Sequence, residues 1–180
     1  MRIESAAEAE KYVSSILRDE DIERRCLEAF ADTVEEAIRS NEEQWAITCK
    51  KGKVRLQVGP VIICNIGDGR AGTERLWMAL DRDRLAREGK TALLDTFEEW
   101  QWSDVDQEYT AVSTRNGYYV PSERHDKVWL EIRELHFESI RKAADRGGLR
   151  LPTKNGHSPG VLEYLRSTIG RTLPPPAYSD

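Results

Sequence analysis

The chain has little cysteine, little histidine and no long apolar run, and each shortage removes a class of explanation. Three cysteines in 180 residues, Cys26, Cys49 and Cys64, are odd in number and widely spaced, with no C-x-x-C. A disulfide framework and a zinc site are both excluded by that pattern, which reads as buried thiols of a reducing, cytoplasmic compartment. No stretch approaches the roughly 20 apolar residues of a membrane span. The opening "MRIESAAEAEKYV" lacks the apolar core of a signal peptide, so a soluble chain with no membrane partner is expected. No internal repeat is present.

The histidines offer no obvious chemistry. His125 and His136 stand eleven positions apart on a predicted helix, about 16 Å, too far to share a metal or act as one acid–base pair. His136 falls on an apolar stripe and reads as a core residue. His157 sits in a glycine-rich loop with no partner to name. In "SERHD", Ser122, His125 and Asp126 lie within one turn, but neighbours on a helix point apart and build no local triad. Neither a catalytic set nor a metal site emerges, and no cofactor signature survives.

Charge is present in quantity and is segregated. The net −5 hides thirteen acids against six bases in residues 1–44, and ten bases against five acids in residues 50–90. A uniform polyanion binder is therefore disfavoured, while a local basic face stays open. Acidic helices laid over a basic sheet would instead neutralise one another inside the fold.

Periodicity sets the expected architecture. Ser5-Ala-Ala-Glu8 is a capping-box signature, followed by Ala9, Tyr12, Val13, Ile16 and Leu17 on one helical face. A second helix carries Ile22, Cys26, Ala29, Phe30, Thr33 and Ala37 at spacings of three and four, with its acids outward. From Trp45 the period becomes two: Trp45, Ile47 and Cys49 alternate, "KKGK" turns, and Val54, Leu56 and Val58 alternate against Lys53, Arg55 and Gln57. Asn116-Gly117, between β-rich runs, is the strongest short hairpin signal. Pro121-Ser122 then opens a long helix over 123–145 that stops at Gly147-Gly148. A shorter one over 159–169 has Ser158 at its cap and Pro159 at its first position. The expected fold is α+β: an N-terminal helix pair, an antiparallel sheet of about five strands, and a long helix on one sheet face. It occupies 1–170 as one domain, helical over 1–44, β-rich over 45–120 and helical over 121–170, with 171–180 an extended proline-rich tail.

Gly67-x-Gly69-x-x-Gly72, after the apolar run "VIICNI", spells a dinucleotide-binding turn, and Asp95 stands where a ribose-binding acid would follow. Against it, the spacing to Asp95 is long, "KVRLQV" is amphipathic, and the intervening segment makes a poor crossover helix. The competing parse makes "ERLWMALD" a strand and the glycines a turn, so that 61–66 and 75–81 become antiparallel neighbours. A short helix "RDRLARE" then stops at Gly89. Glu88-Gly89-Lys90 is half of a nuclease-like metal site, better read as solvated loop acids. Pro175-Pro176-Ala177-Tyr178 has the PPxY spelling, a short match on which little rests.

The remaining candidates are aromatic and basic. Trp45, Trp77 and Trp129 read as core. Trp100 and Trp102, with Tyr118, Tyr119 and Arg70, form a candidate ligand rim able to stack a flat ligand. Lys50, Lys51, Lys53, Arg55, Arg146 and Arg150 form a candidate nucleic-acid-contacting set if their two segments converge. The reading is a non-catalytic binding module for nucleic acid, a modified base or a partner protein. Two alternatives stand beside it: a nucleotide-binding enzyme using the glycine loop, and an interaction subunit docking through the acidic helices.

Overall fold

A computed structural model describes residues 1–17, 20–67, 76–80, 86–89, 98–100, 116–120, 125–149 and 156–170. Among them are helices α1 (Ala6–Ile16), α2 (Glu20–Ser40), α3 (His125–Arg146) and α4 (Pro159–Ile169). The strands are β1 (Trp45–Lys50), β2 (Lys53–Val58), β3 (Val61–Ile66), β4 (Leu76–Leu80), β5 (Glu98–Trp100) and β6 (Asn116–Val120). The architecture is α+β, with one antiparallel sheet in the order β1-β2-β3-β4-β6-β5. About five strands were expected, and six are found among the described residues.

Local signals set the ends of several elements. Ser5 and Glu8 close the expected capping box on α1, an arrangement worth about 1 kcal/mol. Ala9, Val13, Ile16 and Leu17 are buried behind it. Gly147 and Gly148 follow α3 with φ of 62° and 77°, the left-handed conformation that ends helices. Ser158 occupies the cap position of α4 but makes no side-chain cap. Its hydroxyl instead accepts from the Ile3 N–H at 3.2 Å, tying the N-terminal segment to the sheet edge.

The first four strands run as a meander. Val54, Leu56 and Val58 pair with Ile66, Cys64 and Val61, all buried, with a bulge at Leu56/Gln57. Trp45, Ile47 and Cys49 extend the same face on β1. Phe30, Leu27, Ile140 and Leu165 are among the helical residues that complete this core. Full burial of each such side chain contributes roughly 1.5–3 kcal/mol. His136 and Trp45 are fully buried, as their patterns indicated.

Three expectations need correction. The two N-terminal helices do not associate chiefly with each other: α1 packs on α4, and α2 on α3. Adjacency in sequence did not decide which helices pack together. The acids of α2 do not all face outward, because Glu36 is 3% exposed. Asn116-Gly117 is not a hairpin turn: both residues lie in β6, paired with Leu80 and Ala79 of β4, and Gly117 also faces Trp100 of β5. A central strand bonded on two sides outweighs the local turn preference of Asn-Gly.

Candidate functional site

The glycine motif is resolved by strand direction. β3 and β4 are antiparallel neighbours, Cys64 opposite Met78 and Ile66 opposite Leu76. A dinucleotide turn needs a parallel strand reached through a crossover helix, and residues 76–80 are strand, not helix. Gly67 has φ +77°, and a Cβ there would collide with the Gly52 carbonyl oxygen and with Ile16 Cγ2. Its backbone is therefore occupied by α1 and the β1–β2 turn, where a pyrophosphate would have to approach. Gly69, Gly72 and Asp95 lie outside the described residues. Ala86 and Arg87 are helical and Gly89 follows with φ +67°, as expected for the short helix before it.

The basic β1–β2 hairpin is built on an unusual register. Lys50 pairs directly with Lys53, and Thr48 with Arg55. These positions occupy the face opposite Cys49, Val54 and Leu56. Like charges facing across a ladder are destabilising. Lys51 is at the tip; it and Lys50 are exposed, and neither side chain has an ion-pair partner among the described residues. Tyr12 holds the turn from beneath: its hydroxyl donates to the Lys50 carbonyl and accepts from the Lys53 N–H at 3.3 Å. Burial raises the Tyr12 pKa, with the hydrogen bond at Lys53 opposing the rise.

From that hairpin a single row crosses the sheet. Arg55 is registered on Asn65, Asn65 on Trp77, Trp77 on Tyr119, and Tyr119 on Glu98. Trp100, opposite Gly117, lies two positions along from Glu98 and so shares this face. Asn65 is 7% exposed and its side-chain oxygen has no hydrogen-bond partner among the described residues. Ala46 and Thr48 are buried on the same face, and Arg55 and Gln57 are half-buried. The charged face of these strands is thus not the open, solvated one that alternation implied.

Several site residues are separated rather than gathered. Tyr118 is registered on Met78 and Glu99, one pleat away from Tyr119, and therefore falls on the other face of the sheet. Arg146 ends α3 beside Gly147, which approaches Gly59 and Gln44, and the Leu149 N–H donates to Gln44 Oε1 at 3.1 Å. Gly59 follows the last residue of β2, whereas Lys53 is its first. The two basic segments therefore sit at opposite ends of a strand about 17 Å long, and do not converge. Arg70, Trp102 and Arg150 lie outside the described residues, as do Pro121, Ser122 and the tail.

A second charged locus was not anticipated. Between α2 and α3 is a groove of about 330 Å³ lined by Asp32, Glu35, Glu36, Arg39, Arg133, Glu134, Phe137 and Arg141. The buried Glu36 carboxylate accepts from Arg39 Nη1 at 2.8 Å and from Arg141 Nε at 2.7 Å. Glu36 stands three residues after Thr33 on the buried stripe of α2, and that spacing was the available signal. Tyr12 was placed on its stripe, but its contact with the turn was not readable from sequence.

The interior is chemically quiet. Burial pushes the Cys49 thiol up to about 11, against a hydrogen bond from Ser158 that lowers it. Cys64 is driven up further by burial, with Thr33 opposing. Thiols held protonated in this way are poor nucleophiles. His157 is less isolated than its loop implied: its Nδ1 accepts from the Ile47 N–H at 3.2 Å, and its ring meets Trp45 edge-on at 5.5 Å. Together with the Ser158 N–H bound to the Ile47 carbonyl, it covers the outer edge of β1. Among the described residues no three His, Cys, Asp or Glu side chains gather as metal ligands, and no helix is long and apolar enough to cross a membrane. No family model matches the chain, and neither a curated protein nor a solved structure is detectably similar to it.

Proposed function

We propose that this chain is a non-catalytic, cytoplasmic binding module that takes nucleic acid, with an unstacked base as the recognised element. The observation that carries the reading is the cross-strand row: Arg55, Asn65, Trp77 and Tyr119 follow one another in register on the sheet face opposite Leu56 and Cys64. Cationic, amide and aromatic residues on one sheet face are the combination that neutralises phosphate, reads a base edge and stacks its plane. Asn65 contributes an acceptor that no described group satisfies. The buried free cysteines fit a reducing compartment.

The test is binding of fluorescent oligonucleotides to the full chain as salt is raised. Affinity should fall steeply, since each neutralised phosphate releases condensed counterions. Trp100→Ala or Tyr119→Ala should weaken binding about tenfold with the salt slope kept, because stacking carries no charge. Absence of binding at low salt removes the reading and leaves a protein partner as the better one.

A further inference from the structure

β1 begins the sheet order, and no other strand pairs with its outer edge among the described residues. Such an edge offers open N–H and C=O groups and is normally covered. Here the cover is a short strap at 156–158, just ahead of α4. The Ser158 N–H donates to the Ile47 carbonyl at 2.8 Å. The other half of the cover is a side chain: the Ile47 N–H donates to His157 Nδ1 at 3.2 Å, and the His157 ring meets Trp45 edge-on. A backbone carbonyl in that place would accept at any ordinary pH. An imidazole nitrogen accepts only while it carries no proton, because both ring nitrogens of the charged form are donors.

The surroundings of the ring bear on its charge. His157 directly precedes the Ser158 cap of α4, and the positive end of a helix dipole disfavours a second positive charge beside it. The first turn of α4 carries no acid to offset this. On the elements packed around the strap, the Met1 ammonium donates to the Cys49 carbonyl at 3.2 Å, farther along the same edge. Arg2 and Glu4 pair with each other at 2.8 Å, and Glu163 accepts from the Ala6 N–H at 3.1 Å. The Cys49 thiol is held protonated by burial. Both carboxylates are thus engaged elsewhere.

We propose that His157 makes the strap acid-released: the neutral ring closes the β1 edge, and a proton on Nδ1 opens it. The proton takes the lone pair that accepts from Ile47, so two N–H groups face each other and the bond is lost. The open form therefore binds the proton more readily than the closed form. Closure is complete above the ordinary imidazole value of about 6.5 and weakens as pH falls below it. The device does not depend on which ligand the chain takes.

The test is hydrogen exchange of the Ile47 amide in the full chain, expressed as a protection factor and followed as pH is lowered. Protection should fall by up to about tenfold per pH unit below about 6.5, the linkage of one proton. The fall should run in step with the NMR titration of the His157 ring, and amides of the β2–β3 ladder should keep their protection. His157→Asn and His157→Phe remove the titrating group, and in both the Ile47 protection should no longer vary with pH. Constant Ile47 protection in the unaltered chain, or a pH dependence that survives either substitution, overturns the proposal.

Discussion

The α2–α3 groove and the β1–β2 turn are both dense in charge, and they handle it in opposite ways. In the groove, opposite charges meet around Glu36. A buried carboxylate holds two guanidinium groups, and the half-buried Glu35 and exposed Glu134 lie at 3.4 and 3.7 Å from Arg39 and Arg141. At the turn, Lys50 faces Lys53 with Lys51 beside them. The groove is an internal crosslink that joins two helices whose neighbouring faces are apolar. The turn instead sets two like charges opposite each other across the ladder, a pairing that adds nothing to the hairpin's own stability. A count of charges alone would rank the groove first. The sign and pairing of those charges rank the turn first.

The largest effect should come from the groove. Replacing both Arg39 and Arg141 by alanine strands the Glu36 carboxylate in a site only 3% exposed. The expected cost is about 3–5 kcal/mol in urea denaturation. Glu36→Ala should cost less, because Arg39 and Arg141 are 65% and 48% exposed and can return to water. Equal costs for the two variants would mean that the groove is a surface feature and the contrast with the turn is false.

A smaller effect tests the two faces of the hairpin itself. Cys49 lies on the helix-facing side, and its pKa is raised from 9.0 to about 11. A raised folded-state value means that the unfolded chain loses its proton first as pH climbs. Stability from this group is therefore complete below about 9 and is lost between 9 and about 11, at about 1.4 kcal/mol per pH unit. Cys64 adds a loss of the same sign. Cys49→Ala should make the alkaline decline of the urea midpoint shallower. An unchanged decline would show that this face admits a thiolate as readily as the other admits lysines.

The smallest change is the most direct comparison. Lys50→Glu converts a repulsive cross-strand pair into an attractive one and should stabilise the chain by about 0.2–1 kcal/mol, seen as a raised Tm. The same substitution should weaken oligonucleotide binding. Stabilisation with binding retained would remove the turn from the interface. Destabilisation would make Lys50 a structural residue like Arg141.

What the sequence by itself determined were features whose physics is local. The capping box at Ser5 and Glu8, the stripe of α1, the Pro159 start of α4, the alternation over 45–58 and the antiparallel pairing of 61–66 with 76–80 were all legible. Each follows from a spacing of two, three or four residues or from one terminating glycine. Tertiary structure decided everything that depends on which surfaces meet. It gave α1 and α2 separate partners and drew Asn116 and Gly117 into a central strand. It turned Glu36 inward because an arginine 105 residues away came to meet it. It also put Tyr118 and Tyr119 on opposite faces of the sheet, and Arg146 a strand's length from Lys53. Spacing along a chain tells a side chain which way to point relative to its neighbours; only the packed fold supplies what it points at.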